Sequence, residues 1–302
     1  MGVPARTGIP LTEAVSLRPR PSDLVILGHL AFQAILVLLY GGKLGGQLLF
    51  FYAVFGILTL AQAVIPVPAR PSVGHFAKSI FPVILLYFFY RVVDMQAGVV
   101  NFRYHDLMIA DFEKGLFGVY PTFALQKIME VWLNELSYVA YGLGIVLVIA
   151  AVFRLYRADT LRLFEGFIFA IVLGGVLCLA VASLFPAEGP GRALSNYHYL
   201  IIFGPFFSST VPALVSIVAS DTLSFPAIYL CLVIIAAYYV SDFGGFYAVL
   251  SFFAIAGVLW SGIYLRYHYL SDSVAALALA SIAVIVSRHL SKGEAHRADG
   301  AR

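Results

Sequence analysis

The chain has 302 residues, of which 61% are hydrophobic and only 12% charged, and its mean hydropathy is +0.92. A soluble domain carries about 25% charged residues, so this composition excludes a soluble protein and predicts an integral membrane protein. The formal net charge of +3 is too small to indicate a nucleic-acid partner.

The sequence offers little for a disulfide or a metal. Its two cysteines, Cys178 and Cys231, each lie inside an apolar run, which indicates buried free thiols. No Cys and His spacing typical of a metal site occurs, so we expect neither a metal nor another cofactor.

The N-terminal residues 1–22 are polar and rich in arginine and proline, and we expect them to form a cytoplasmic tail. Eight apolar runs follow, each close to the roughly 20 residues that a helix needs to cross the hydrocarbon core. The runs are 23–40, 47–66, 79–97, 136–153, 163–185, 223–241, 245–265 and 273–288. They predict an all-α bundle of about eight transmembrane helices: an N-terminal group in 23–97, a core in 136–290 and a cytoplasmic tail in 291–302.

The distribution of Lys and Arg predicts the orientation, because cytoplasmic loops are enriched in these residues. With a cytoplasmic N-terminus, eight spans place 12 of the 19 on the cytoplasmic side. These 12 are Arg6, Arg18, Arg20, Arg70, Lys78, Arg154, Arg157, Arg162, Arg288, Lys292, Arg297 and Arg302. We therefore expect both termini in the cytoplasm, and residues 266–272 on the outer side of a plasma (or inner) membrane.

The segment 98–135 is predicted to stay on the outer side without crossing. From Leu125 to Leu136 its apolar residues recur at the spacing of one helix face, and polar residues fill the opposite face. We expect an interfacial helix here, with Trp132 near the level of the lipid headgroups. It either packs against the bundle or borders a lipid entry to a site.

The stretch SGIYLRYHYLSD, residues 261–272, carries the strongest indication of chemistry. On a helix, His268 and Asp272 would share a face, so the carboxylate could hold one imidazole nitrogen while the other faces a substrate. Arg266 adds a planar positive group suited to phosphate oxygens. The alternative is that all three are polar residues at helix ends near the membrane surface.

Two further segments are expected on the same side. LFPAEGPGRAL, residues 184–194, ends a helix in a Gly/Pro loop that carries Glu188 and Arg192; Arg192 either reaches a phosphate or is an ordinary loop arginine. SFPAIY, residues 224–229, begins the next run. In the predicted topology all three segments meet at one interface, which suggests chemistry on a phosphorylated lipid headgroup.

These motifs resemble those of the type 2 phosphatidic acid phosphatase superfamily, and most closely the branch of the inositol phosphorylceramide synthases, which act in sphingolipid metabolism. YLRYHYLSD is similar to the last motif of the superfamily, LFPAEGPGR to the Pro-rich loop of the branch, and LFGVYPT at residues 116–122 to a segment that recurs in it. The likeness covers roughly residues 100–290. It departs in the middle motif, where the family has Pro-Ser-x-His and this chain has Pro226, Ala227, Ile228 and Tyr229.

The resemblance implies roles for five residues. His268 would attack phosphorus and become a phospho-histidine, and Asp272 would orient its ring. Arg192 and Arg266 would bind the phosphate. Tyr229 would stand where the family has the acid for the leaving group; it yields its proton reluctantly, because an unperturbed tyrosine has a pKa of about 10. The second substrate would be water or an alcohol-bearing lipid, with no metal.

Two functions stay open on the sequence. The pair His268 and Asp272 favours an enzyme acting on a lipid phosphate at the outer leaflet. His198 and Glu188 are either substitutes for the missing acid or structural residues of the loop. The altered FPAIY favours a related protein that binds a lipid phosphate or a membrane partner without turnover. A transporter is disfavoured, because the polar groups gather at one surface and no internal repeat occurs.

Overall fold

The structure is a computed structural model that describes residues 19–65, 71–100, 103–157, 160–218, 220 and 222–300. Long apolar helices occupy most of these ranges. They are α1 (Pro21–Tyr40), α2 (Gly45–Val64), α3 (Val73–Val100), α6 (Val131–Leu155), α7 (Leu161–Leu184), α11 (Gly245–Tyr264) and α12 (Leu270–Gly300). The shorter helices are α4 (Asp106–Phe117), α5 (Pro121–Ala124), α8 (Pro190–Ala193), α9 (Phe207–Val218) and α10 (Ile228–Val240). The described residues thus form the all-α bundle that the composition predicts.

Seven helices in the described ranges are long and apolar enough to cross a membrane, so the chain is an integral membrane protein. The remaining predicted span, 223–241, is shorter than predicted and becomes the 13-residue α10. One reason is that Pro226 disfavours a helical conformation in the residue before it. A second is that the N–H groups of Ser224 and Ala227 are used elsewhere, since they donate to the carbonyls of Ala187 and Asp272.

The short helix α10 lies at the centre of the bundle, packed against α6, α7, α11 and α12. Buried side chains occur on all its faces, from Leu230 to Val240. A helix packed against protein on several sides does not have to span the full hydrocarbon thickness, because non-helical backbone at membrane depth is tolerated where protein covers it. Close packing against α6 depends on Gly144, where a Cβ atom would clash with the hydroxyl of Tyr229.

The N-terminal helices are joined to α7 by a buried polar network. Gln33 of α1 donates to Ser183 of α7 (2.7 Å) and accepts from Gln96 of α3 (2.7 Å). Tyr52 of α2 donates in turn to Gln96. Polar side chains buried among apolar helices must hydrogen-bond to one another. This network therefore fixes how the first three helices pack against the rest of the bundle.

Polar contacts distinguish the two ends of the bundle. At one end Arg20, just before α1, forms an ion pair with Glu165 of α7 (3.6 Å). In the same part of α7, Arg162 donates to the carbonyl of Ser291 in α12 (2.9 Å). The start of α1 and residue 291 therefore lie together, at what we call the Arg20 end. Residues 261–272 lie at the opposite end, which we call the motif end.

The predicted interfacial helix is wrong as a single element. A 3₁₀ turn, Leu125–Ile128, follows α5; Met129 and Glu130 are extended, and α6 begins at Val131. Trp132 therefore lies in the first turn of a spanning helix, where 65% of it is exposed.

The helix breaks because Gln126 serves tertiary contacts. Its side-chain oxygen accepts from the N–H groups of Tyr199 (3.0 Å) and Leu200 (3.2 Å), and its amide donates to the carbonyl of Tyr197 (3.3 Å). This ties the loop after α8 to the turn.

The domain boundaries expected after residues 97, 135 and 290 do not coincide with helix ends, since they fall inside α3, α6 and α12. Of the two expected tails, residues 1–18 and 301–302 lie outside the described residues.

Candidate phosphoryl-transfer site

The three segments expected on the outer side come together at the motif end. The N–H of Ala187 donates to the carbonyl of Thr222 (3.0 Å), and the N–H of Ser224 donates back to Ala187 (2.9 Å). The N–H of Gly191 donates to the carbonyl of Arg266 (2.9 Å). Main-chain hydrogen bonds thus join the Gly/Pro loop to both other segments.

Gly189 shows how closely these segments approach. Its φ angle is +91°, in the region that favours glycine. A Cβ atom here would lie 2.9 Å from both the hydroxyl of Ser224 and the carbonyl oxygen of Tyr267. Only glycine therefore suits this point of the loop, and the requirement is one of backbone packing.

His268 and Asp272 meet as the spacing predicts, but not on one helix face. His268 lies before α12 begins, and its N–H, like that of Tyr267, donates to the carbonyl of Gly262 (3.0 and 2.9 Å). Asp272 lies in the first turn of α12 with no exposed side-chain surface, whereas the His268 side chain is 13% exposed. The distance from Nδ1 of His268 to Oδ2 of Asp272 is 3.7 Å.

The surroundings of Nδ1 indicate where the proton of a neutral His268 ring resides. The nearest partner is the carbonyl oxygen of Ser224 at 3.2 Å, which can only accept a hydrogen bond. The Asp272 carboxylate lies beyond it, also as an acceptor. Nδ1 therefore carries the proton, and Nε2 keeps its lone pair.

Ser224 is a residue that sequence reasoning missed. Its hydroxyl donates to Oδ2 of Asp272 (2.9 Å), and the same oxygen accepts from the N–H of Tyr269 (2.8 Å). The other carboxylate oxygen, Oδ1, is buried without a partner among the described residues. The carboxylate is thus held on one oxygen by two donors. A hydroxyl residue two positions before Pro226 was the available sequence indication.

Arg266 is directed away from the pair by its backbone. Its φ angle of +66° is rare for a residue with a side chain. Nη2 donates to the carbonyl of Leu200 (2.8 Å) and approaches Gln126 (3.5 Å) and Met129 (3.4 Å). Burial lowers the pKa of Arg266 from its ordinary value. The guanidinium thus helps to hold the loop after α8, and phosphate binding by Arg266 stays a prediction.

Arg192 lies exposed on the short helix α8, in the Gly/Pro loop. Its backbone is close to the motif, because the neighbouring residue Gly191 bonds to Arg266. Phosphate binding by Arg192 likewise stays a prediction.

Tyr229 does not hydrogen-bond to the pair. Its hydroxyl donates to the carbonyl of Tyr141 in α6 (2.6 Å), and the two rings lie 4.7 Å apart. Since its only proton is already donated to α6, Tyr229 in this conformation is no acid for a leaving group. The acid role that its place in the middle motif implies stays a prediction, and it requires another orientation of the hydroxyl.

Neither proposed substitute for that acid bonds to the pair in the described structure. The ring of His198 lies 3.5 Å from Thr122, and burial, with a smaller effect of Arg266, lowers the pKa of His198 to about 4. His198 is therefore uncharged at neutral pH and a weak proton donor. The main-chain N–H of Glu188 donates to Asp106 (2.9 Å).

Helix α4 contributes two acidic residues that the sequence analysis did not single out. Asp106 accepts from the N–H groups of Glu188 (2.9 Å) and Gly189 (2.8 Å) and from the hydroxyl of Tyr269 (3.0 Å). One buried carboxylate thus connects the Gly/Pro loop to the residue after His268.

Glu113 lies seven residues further along α4 and binds the start of α12. Its carboxylate accepts from the N–H (2.6 Å) and the hydroxyl (2.8 Å) of Ser271. A carboxylate at a helix N-terminus satisfies otherwise unpaired N–H groups. The spacing of Asp106 and Glu113, on one face of an amphipathic helix, was the sequence indication.

Comparison of the chain with family models, with curated proteins and with solved structures gives no match. Within the described part of the chain, His, Cys, Asp and Glu form no group of three that could hold a metal ion.

The arrangement at the motif end can supply a nucleophile. A neutral imidazole with its proton fixed on Nδ1 presents the lone pair of Nε2, and a buried carboxylate stabilises the positive charge that develops when Nε2 forms a bond. Polar groups on three segments and on α4 hold this geometry without any contribution from Tyr229.

Proposed function

We propose that the protein is a membrane phosphatase or phosphotransferase that acts on a lipid phosphate, with His268 as the nucleophile. The observation that carries this proposal is the fixed orientation of the imidazole. Nδ1 faces the carbonyl of Ser224 and the carboxylate of Asp272, so Nε2 is the nitrogen available for attack.

The reaction has two steps. Nε2 of His268 attacks phosphorus, a P–N bond forms, and the P–O bond to the leaving group breaks with its electron pair staying on oxygen. Water or the hydroxyl of a second lipid then attacks phosphorus and releases its proton to solvent water, while the P–N bond breaks and the imidazole recovers its lone pair. Asp272 stabilises the ring while it carries a positive charge.

The leaving oxygen must take up a proton. The hydroxyl proton of Tyr229 is donated to Tyr141. We therefore propose that water, which can reach the partly exposed His268, supplies the proton to the leaving oxygen. General acid catalysis typically contributes about 10²–10⁴-fold, and we therefore expect a slow enzyme, or one whose leaving groups need little protonation.

A second candidate is a protein that binds a lipid phosphate without turnover. The observation that favours it is the burial of Tyr229 against α6, which leaves the site without the acid of the family that it resembles. This protein would retain the loop and the arginines, and it would use them only to hold the ligand or a membrane partner.

We place the site on the outer side of the plasma (or inner) membrane, with both termini cytoplasmic. Support comes from the described positive residues at the Arg20 end, among them Arg20, Lys78, Arg154, Arg157, Arg162 and Arg288, because cytoplasmic loops are enriched in Lys and Arg. A substrate would then reach His268 from the outer leaflet.

The test is turnover of a radiolabelled lipid phosphate by the purified protein in detergent. We expect His268→Ala to abolish turnover and Asp272→Asn to reduce it severely, both with normal expression. Arg266→Lys should also reduce it, because a point charge does not replace a planar fork. Full activity in His268→Ala would reject the scheme. Binding without turnover in the parent protein would favour the second candidate.

A further inference from the structure

A cavity of about 430 Å³ opens at the Arg20 end, far from the candidate phosphoryl-transfer site. Its lining includes Arg162 of α7, Arg288 of α12, Tyr238 of α10 and Asp242 in the turn after α10. Helix α12 runs from Leu270 to Arg288 between the two sites, roughly 27 Å at a rise of about 1.5 Å per residue. The cavity is therefore a separate feature of the molecule.

The two arginines approach the cavity from different helices, and local contacts fix them. Arg162 donates through Nη2 to the carbonyl of Ser291 (2.9 Å). The guanidinium of Arg288 lies 5.2 Å from the centre of the Tyr238 ring. A guanidinium has five N–H donors, so a single hydrogen bond leaves Arg162 with donors for an oxyanion.

The rim of the cavity continues into the apolar outer surface of the bundle. Tyr238 is 38% exposed and Leu163 is 45% exposed. On α12, Ile285 is 56% exposed and lies one turn before Arg288. A ligand with a charged head in the cavity could thus lay an apolar chain along α12.

The charges of the lining restrict the ligand. Two arginines and one aspartate give a formal charge of +1. That charge complements a phosphodiester, which carries a single negative charge, better than a phosphomonoester, which approaches two at neutral pH. We propose that this cavity binds the phosphodiester headgroup of a membrane glycerophospholipid, with its acyl chains along the exposed face of α12.

The test is isothermal titration of the purified protein in detergent with three probes. They are dihexanoyl phosphatidylglycerol, dihexanoylglycerol, which lacks the phosphate, and inorganic phosphate. We expect the phosphatidylglycerol to bind tightest. The double variant Arg162→Gln with Arg288→Gln should weaken its binding by about tenfold or more, because hydrogen bonds to charged groups are lost.

Two further variants give the test its control. Arg157→Gln removes an exposed arginine that is at the same end but is not part of the cavity lining, and it should leave the affinity unchanged. Asp242→Asn removes the one negative charge of the lining and should tighten binding by about threefold or more. If the double arginine variant fails to fold, Asp242→Asn still tests whether the lipid binds in this cavity.

Three results would overturn the proposal. One is equal binding of phosphatidylglycerol by the parent and the double arginine variant. Another is absence of tightening in Asp242→Asn. The third is arginine-dependent binding of inorganic phosphate at least as tight as that of the lipid, which would identify the ligand as the free ion.

Discussion

The chemistry of His268 depends on one hydrogen bond at Nδ1. The ring faces the carbonyl of Ser224 and the carboxylate of Asp272, and both are acceptors in the neutral-ring state. The sequence predicts the pairing with Asp272 from the four-residue spacing. It does not predict Ser224, because that contact crosses 44 residues of chain and depends on how two segments pack.

Ser224→Ala tests whether the Ser224 hydroxyl positions the Asp272 carboxylate. The change removes the hydroxyl that donates to Asp272 and keeps the carbonyl that faces His268. A hydrogen bond to a charged group contributes about 1.5–3 kcal/mol, so we expect kcat for a lipid phosphate to fall by about tenfold or more. The matched control is Ser251→Ala, since the Ser251 hydroxyl is buried without a partner in the described structure. Equal rates in both variants would show that Ser224 does not position the pair.

Tyr229→Phe tests whether Tyr229 acts in catalysis or only in packing. The hydroxyl bonds to α6, so its removal should lower the free energy of unfolding by about 1 kcal/mol and, with it, the melting temperature. Turnover should change by less than about threefold. Thermal unfolding and lipid-phosphate turnover are measured on the same preparation. Loss of activity without loss of stability would make Tyr229 a functional donor after all.

Arg266 shows where sequence reasoning about single residues ends. Its place in the motif predicts a phosphate contact, but a left-handed backbone conformation sends the guanidinium to the carbonyl of Leu200. Spacing along a sequence fixes neighbours on a regular helix and not the direction of a side chain in a turn.

Among the helices, α4 is the one whose structural role is least apparent from the sequence. The residues 98–135 were predicted as an outer segment, and the structure shows that α4 holds the Gly/Pro loop through Asp106 and the start of α12 through Glu113. Both contacts join residues more than 80 positions apart, so only the fold brings them together.

The Glu113 carboxyl should make stability depend on pH. Burial raises the pKa of Glu113 above its ordinary value of 4.5. A raised folded-state pKa means that its contribution is complete below pH 4.5 and is lost as pH rises through the folded-state pKa. We expect the melting temperature of the parent protein to fall relative to that of Glu113→Gln as pH rises from 4.5 to neutrality.

Asp111→Asn is the control for this comparison, because Asp111 is an exposed carboxylate on the same helix. Its curve should run parallel to that of the parent protein. Parallel curves for Glu113→Gln and the parent would contradict the role of burial at Glu113.

The periodicity of the sequence predicts the long helices well and the broken elements poorly. Seven of the eight predicted runs correspond to long helices, because apolar composition over about 20 residues determines them. The interfacial helix and the span beginning at 223 fail where side-chain or main-chain hydrogen bonds to distant segments replace helical ones. Gln126 and Ser224 are the residues at those breaks.

For the whole molecule, the central expectation is that the two ends of the bundle face different compartments. The start of α1 and the described end of α12 lie at the Arg20 end, and the candidate site lies at the motif end. The positive-inside rule assigns the Arg20 end to the cytoplasm.

Cysteine labelling tests this assignment with little background, because both native cysteines are buried. We expect a membrane-impermeant maleimide to label Asn196→Cys in intact cells and to label Arg157→Cys only after permeabilisation. A tag at residue 298 should behave like position 157. The reverse pattern would place His268 in the cytoplasm and contradict a substrate from the outer leaflet.

In the proposed mechanism, phosphorus becomes bonded to His268 during the reaction. The most direct measurement is to mix the protein with a lipid phosphate that is radiolabelled at phosphorus and to quench the reaction rapidly. The label that remains attached to the protein is then measured. We expect a label that is stable in alkali, labile in acid, and absent from His268→Ala. Turnover by the parent protein with no such label, together with unimpaired turnover by His268→Ala, would contradict it.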